Sequence, residues 1–511
     1  MSDLTEQSGS YQSLRRINCI AMILEDDIAE SDRIGWRIEQ ASPDPDNPLI
    51  EPALPWDSGV VFSHGTVVKD PIDGLWKAWY SCAPFGTHDW RLAYATSEDG
   101  VNWTRPALDL CPYPGYDGTN ILIDADAGGI NLYASVLIDP TADPIRRYEM
   151  YVMRLPKYGF DRRRSPWLQP EIVIDGLPLP AGRSSHPPGM YKYVSPDGIR
   201  WTPEAGPLLI LQHQPRNVNY RSTLDTADGA FVYRASDGGY LAYHKISEPI
   251  HPGGLAPYDV GSPKRRIIVR RTSTDGLEFS AYEVVLAPDW RDPQDLQFME
   301  LTYTPIEGGY LGIATCYHPL TQTIDLQFAG SADGRHWRRP ARLPCLPLAP
   351  LGDYGGGMIW PTHHLIEDGD NTFVYYGGLE GLHGDASQNE PSIWQFNGAI
   401  CRARWEHNRY WAAVPGPGGN IESSLTTHPL AVGGKSLSVN AVTVKDGLLR
   451  AELLDGTGKP VDGFGLDDFV PWQGDAKSAQ LGWTGGDSCP IEVAAVRFHL
   501  RRARLYGFAW S

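Results

Sequence analysis

The chain has 511 residues, 41% hydrophobic and 21% charged, the balance of a soluble globular protein with room for two or three domains. Its formal net charge of −18 argues against nucleic acid or an anionic membrane surface as partner, because an acidic surface repels both. No window approaches the roughly 20 apolar residues of a membrane span, and the seven cysteines are scattered without a C-x-x-C pair, so neither a disulfide framework nor a zinc site is expected.

In chain order, residues 1–50 read as a polar extension with a first strand over Arg16 to Leu24 and a proline-rich approach, Pro43-Asp44-Pro45. Arg15-Arg16 before that strand resembles a short export signal, but the apolar run is brief and ends in Glu25-Asp26-Asp27; a cytoplasmic protein is expected. From Trp56 a round of strands begins: Val60 to Val68, Leu75 to Tyr80 and Arg91 to Thr96. Similar rounds follow at Leu132 to Ile138, Tyr148 to Met153 and Met190 to Val194, then at Tyr220 to Leu224, Ala230 to Arg234 and Ile267 to Arg271. A fourth has Phe298 to Tyr303, Tyr310 to Cys316 and Ile324 to Ala329, and a fifth Met358 to Leu365, Thr372 to Tyr376 and Ala399 to Arg404.

The third strand of each of the first four rounds ends in the same pattern, S-x-D-G-x-x-W/F, at Ser97 to Trp103, Ser195 to Trp201, Ser273 to Phe279 and Ser331 to Trp337. An Asp-Gly pair suits a tight hairpin that needs positive φ. The copies start 98, 78 and 58 residues apart, too unequal for a solenoid but compatible with propeller blades that carry different loop insertions. In the fifth round the signature has decayed to Arg404-Trp405. A Pro-Gly stretch at 415–419 then leads to short alternating runs from Ser436 to Trp510, punctuated by Asp455-Gly456 and Asp462-Gly463, the grammar of a β-sandwich. The expected fold is all-β: a five-bladed β-propeller over 51–414 and a C-terminal β-sandwich over 415–511.

With R-L-A-Y-A-T-S-E-D-G-V-N-W-T-R-P and I-D-L-Q-F-A-G-S-A-D-G-R-H-W-R-R-P as blade signatures, the chain from about residue 50 to 511 resembles the five-bladed glycoside hydrolases, the clan of invertase/inulinase-like and arabinanase-like families. The resemblance implies an axial funnel in which acids on the inner strands of the first three blades cut a glycosidic bond. This chain departs from that pattern. Where those families carry Asn-Asp-Pro or Arg-Asp-Pro, it has Phe62-Ser63-His64-Gly65-Thr66; the second inner strand offers Asn131 and no acid until Asp139, and the third none before Asp225.

A glycosidase needs two carboxyl groups, about 5–5.5 Å apart for retention or about 6.5–9.5 Å for inversion. Glu300, set in the apolar run F-M-E-L-T-Y, has the surroundings of a general acid; the alternative is a structural ion pair with Arg221 or another inner-strand cation. Asp57 and Asp353 precede the first and fifth inner strands and are candidates for the second acid, or for a shared turn-capping role. His64 and His363 lie on neighbouring inner strands if the ring closes; they suit proton transfer, metal ligation with Glu300 at an axial divalent ion, or plain core hydrogen bonding. Trp360 offers a sugar-stacking face. Arg216, Asn217, Asn219 and Arg221 place four polar groups in six residues and suit a lined cavity, as does Asn131. Glu380 and His383 belong to a rim loop. These residues point to a carbohydrate-active enzyme, a glycoside hydrolase acting on a small sugar or glycoside. A non-hydrolytic lyase, isomerase or cyclase using His/Arg/Glu chemistry and a non-catalytic sugar-binding propeller remain as alternatives.

Overall fold

The computed structural model describes residues 19–20, 22–87, 89–125, 129–156, 189–211, 225–226, 229–249, 264–383, 397–416 and 419–511. The expected strand Tyr220 to Leu224 lies outside them. The chain is all-β: its described helical turns are three-residue 3-10 turns at Glu25–Asp27, Pro144–Arg146 and Leu466–Asp468.

The strand runs of the sequence become antiparallel sets. Val60–Lys69 pairs with Trp76–Ala83, and that with Arg91–Ser97. Gly129–Ile138, Tyr148–Pro156 and Gly189–Ser195 repeat the arrangement, as do Gln297–Leu301, Gly309–His318 and Thr323–Ser331, and Met358–Pro361, Asn371–Leu379 and Gly398–Glu406. The third set differs from the sequence reading. Its first strand is Ala230–Arg234, its second is Tyr240–Pro249, and its third is Lys264–Ser273. Tyr240–Pro249 escaped the sequence reading because His244 and Lys245, adjacent in its middle, are both buried and so break the apolar alternation that marks a strand.

First strands lie side by side and are stitched by hydroxyl groups. Thr66 Oγ1 donates to Ala134 O and accepts from Val136 N. Ser135 Oγ accepts from Val232 N, Tyr233 donates to His363 O, and His363 N donates to Gly65 O. Each bond satisfies a buried backbone group that the sheet ladders leave over.

The Asp-Gly turns do more than reverse the chain. In each of the four copies the serine Oγ accepts from the glycine N–H at 2.9 Å, and the aspartate Oδ1 accepts from the two following amides. The glycines sit at φ between +69° and +74°. Their carbonyls then receive a donor from the second strand of the preceding round: Trp79 Nε1 to Gly198 O at 2.7 Å, Tyr151 Oη to Gly276 O at 3.0 Å, and Tyr243 Oη to Gly334 O. Tyr375 of the fifth round donates to Gly100 O of the first at 2.8 Å. The repeated motif is therefore a joint between successive rounds.

The fourth-to-fifth joint is built differently. Trp79, Tyr151, Tyr243 and Ile313 each lie opposite the residue three before the motif serine, so the fourth round offers an isoleucine with nothing to donate. The fifth turn is a disguised copy, Trp405-Glu406-His407-Asn408-Arg409-Tyr410-Trp411. Asn408 replaces the glycine at φ +61°, which asparagine tolerates better than most side chains. Its carbonyl accepts from Asn440 Nδ2 at 2.9 Å, a residue of the C-terminal sheet. Donor and acceptor of the regular joint have both changed, and the C-terminal sheet supplies the substitute.

That sheet is dominated by two 18-residue strands, Leu437–Leu454 and Val493–Trp510, paired antiparallel with register breaks near Ala441 and between Thr443 and Leu448. The sequence suggests two runs where each strand is continuous. Positive φ at Asp446 and Arg502 lets both strands kink without ending. Ile28–Asp32 pairs with Ser423–Thr427, Ile34–Ile38 with Trp411–Pro415, and Cys19–Ile20 with the end of Val493–Trp510. The expected first strand over Arg16 to Leu24 is thus a two-residue strand, Cys19–Ile20, among the described residues; the chain turns at Glu25–Asp27 before its next strands. Among the described residues the cysteines form no disulfide.

Candidate functional site

Three first strands carry a bulge: between Phe62 and Thr66, between Leu132 and Ser135, and between Phe298 and Glu300. Bulges re-aim side chains and gather near active sites. Here they bring together His64, Tyr133 and Glu300. His64 Nε2 lies 3.0 Å from Glu300 Oε1, an ion pair only when His64 is protonated, and without hydrogen-bond alignment, since Oε1 has no hydrogen-bond partner. Both residues are 5% exposed.

The walls are aromatic. The Tyr133 ring stacks on the imidazole of His64 at 4.0 Å and 21°. Trp360 meets it edge-on at 5.1 Å, and Phe62 at 4.0 Å. Lys245 Nζ stands 5.9 Å from the ring centres of both Tyr133 and Trp360, within cation–π range. In so buried a setting an ion pair, when His64 is protonated, would cost desolvation as well as gain attraction.

Several buried polar atoms around this pair have no hydrogen-bond partner. Glu300 Oε2, Trp360 Nε1 and Thr315 Oγ1 are among them. Thr315 lies directly opposite Glu300 across the strand pair, which sets the two side chains on one face, about 5 Å apart at Cβ. Unsatisfied buried groups cost about 1–3 kcal/mol each and need a physical explanation. Together they present acceptors and donors beside an aromatic face.

The remaining candidates stand elsewhere. Asp57 is buried, and its Oδ1 accepts from Ala53 N at 3.0 Å and Leu54 N at 2.7 Å, while Oδ2 lies 3.5 Å from Arg105. Burial pushes its carboxyl above the usual value despite Arg105 and the two amides. Asp353 is exposed in a turn closed by Asp353 N to Pro350 O. His363 has both ring nitrogens engaged: Nε2 donates to Val232 O at 2.6 Å, and Nδ1 faces His364 Nδ1 at 3.3 Å. A carbonyl can only accept, so the proton is on Nε2 and His364 is the donor in the second contact. Burial holds His363 far below the usual histidine value and His364 at about 4.

Asn131 is buried, with Nδ2 donating to Asp124 O at 3.0 Å and Oδ1 unpartnered. Glu380 Oε2 accepts from Asn397 N, and His383 packs on Tyr317 at 4.5 Å. Arg216, Asn217, Asn219 and Arg221 lie outside the described residues. Among the described residues no group of three or more His, Cys, Asp and Glu side chains is placed to hold a metal ion; the Nε2 of His363 is committed to Val232 O.

The structure thus gathers His64, Glu300 and Trp360 from the sequence candidates and adds Tyr133, Lys245 and Thr315. None of the three additions carries a sequence signal of its own. Tyr133 depends on a bulge, Lys245 sits on the strand whose polar middle hid it, and Thr315 acquires meaning only from facing Glu300.

No family model matches the chain, and no curated protein matches it. Among solved structures, it is similar to a β-1,2-mannobiose phosphorylase from Listeria innocua (12% identity over 72% of this chain and 96% of that one, TM-score 0.43). It is likewise similar to an N-acetylgalactosamine deacetylase from F. plautii in complex with blood group B trisaccharide (15%, 74% and 95%, TM-score 0.42). A third is a thermostable family-43 glycoside hydrolase (15%, 68% and 91%, TM-score 0.41).

Proposed function

We propose that the chain is a five-bladed β-propeller with a C-terminal β-sandwich, and that it is a carbohydrate-active enzyme working on a small sugar or glycoside at the propeller axis. The observation that carries this reading is the buried His64–Glu300 contact, ringed by Tyr133 and Trp360 and by the unpartnered Glu300 Oε2, Thr315 Oγ1 and Trp360 Nε1. A sugar presents apolar C–H faces and hydroxyl edges, and this set offers both an aromatic face and mixed donors and acceptors. Glu300 is the acid/base, and His64, 3.0 Å away, supports it by accepting or returning the proton once a bound substrate brings the two into hydrogen-bond alignment. Five rounds joined in order, with Tyr375 reaching back to Gly100, support the closed propeller.

A second reading is favoured by one observation. Asp57 is held by backbone amides and Asp353 is exposed in a turn, so neither offers Glu300 a second carboxyl across a bond. A histidine–carboxylate pair suits proton abstraction and return, the chemistry of a lyase, isomerase or cyclase. The test is a panel of aryl glycosides, disaccharides and free sugars assayed for both hydrolysis and isomerisation, with Glu300→Gln and His64→Gln beside the native protein. Loss of turnover by about 100- to 10,000-fold in both variants is expected. Turnover unchanged in the folded variants sinks the assignment.

A further inference from the structure

Of the six non-glycine residues with positive φ among the described residues, Tyr133 alone lies on a first strand; its φ is +59°. A bulky side chain in the left-handed region is an outlier that persists where the surroundings over-determine it, and such outliers collect at functional sites. Tyr133 is 3% exposed and sits in the bulge between Leu132 and Ser135. The strained backbone turns its ring face-on to His64, at 4.0 Å and 21°.

The surroundings leave the ring one seat. Phe231 packs against it at 5.5 Å, and Lys245 Nζ stands over it at 5.9 Å. Gly229 lies so close to the ring that a Cβ there would overlap Cδ2, Cε2 and Cγ of Tyr133. Phe62 and Trp360 also pack against the imidazole, at 4.0 and 5.1 Å. His64 itself is in a bulge, where the ladder does little to fix its side chain. The stack supplies what the ladder does not.

We propose that Tyr133 is a positioning residue that holds the His64 imidazole against Glu300. This rests on the reading of His64 and Glu300 as the reacting pair, and Tyr133 acts through His64 rather than on a substrate. The strain at Tyr133 is retained because relaxing it would withdraw the ring and free the imidazole to rotate.

The experiment uses the full chain with 13C-labelled histidine, the His64 ring resonance being assigned by its disappearance in His64→Gln. A ring stacked on an aromatic face resonates upfield, and this readout needs no substrate. Tyr133→Phe keeps the aromatic face and is expected to keep the upfield position. Tyr133→Leu is expected to move it downfield, and Gly229→Ala, whose Cβ would overlap the ring and unseat it, to move it in the same direction. The second variant serves if Tyr133→Leu does not fold. With a substrate in hand, kcat of the altered protein falls about 10- to 100-fold with KM unchanged, the mark of misplaced chemistry. A His64 resonance identical in the native, Tyr133→Leu and Gly229→Ala proteins overturns the inference. A native protein inactive on every sugar would instead overturn the proposed function and leave the resonance shift in place.

Discussion

Gly276→Ala tests whether the Asp-Gly turns are joints or merely turns. The residue has φ +72°, and a Cβ there would overlap Tyr151 Oη and fall 2.8 Å from Tyr240 Cζ. Alanine in the left-handed region costs about 1–2 kcal/mol. Displacing Tyr151 forfeits its hydrogen bond to Gly276 O, about 1 kcal/mol, and crowding the well-packed joint costs about 1–3 kcal/mol. The smaller entropy of the unfolded alanine chain returns about 0.4–1 kcal/mol, leaving about 2–6 kcal/mol. Gly238→Ala is the matched control: it lies in the same round at φ +91° with nothing within 4 Å of its Cβ, so about 1 kcal/mol of strain is all it loses. Equilibrium urea unfolding of both variants reads the difference. Equal destabilisation would refute the idea that these turns carry energy between rounds.

Thr315→Val should raise the stability of the unliganded protein by about 1–3 kcal/mol, because it removes a buried hydroxyl without a partner, while weakening sugar binding measured by calorimetry; a destabilised variant with unaltered binding would contradict the site. Acid should destabilise the fold through buried neutral histidines. Burial holds His364 at about 4 and, with Arg271 beside it, His244 at about 3, both below the unfolded value of 6.5. The unfolded chain therefore binds more protons, so stability is full above pH 6.5. It falls by about 1.4 kcal/mol per pH unit per histidine as the pH drops toward these values. Urea midpoints from pH 7 to 4.5 check this, and a flat profile contradicts it. Asn440→Ala removes both the donor to Asn408 O and the acceptor for Arg409 Nε; a loss of about 2–4 kcal/mol is expected, one of the two bonds being charge-assisted. Limited proteolysis should then open the fifth turn first, and cleavage unchanged from the native pattern would argue against that role.

The sequence made the strands legible because most of them alternate or run apolar, and the four S-x-D-G copies announced a repeat through residues with fixed backbone demands. It hid the fifth copy because Asn408 meets the same φ requirement as glycine while His407 and Trp405 replace the aspartate and serine. It hid Tyr240–Pro249 because burying His244 and Lys245 side by side violates the pattern by which strands are recognised. His64, Glu300 and Trp360 could be picked out as polar or aromatic residues on first strands. Their meeting could not, since it depends on bulges at Phe62/Thr66 and Phe298/Glu300, and a bulge adds one or two residues without a sequence mark. Asp57 looked like a catalytic acid and a turn cap in equal measure from sequence; only the amides of Ala53 and Leu54 show what its Oδ1 holds.

The substitute joint at Asn408 has a consequence for synthesis. As the chain leaves the ribosome, the first four rounds can dock one after another, each new turn meeting a strand already made. The fifth turn must wait for Asn440, and Ile28–Asp32 and Ile34–Ile38 must wait for Ser423–Thr427 and Trp411–Pro415 before they have sheet partners. The segment 28–38 therefore stays open-edged until the chain beyond residue 411 has been made. A nascent chain halted before residue 411 would hold docked rounds while Ile28–Asp32 and Ile34–Ile38 still lack their sheet partners, and that is the stage at which a chaperone would find it.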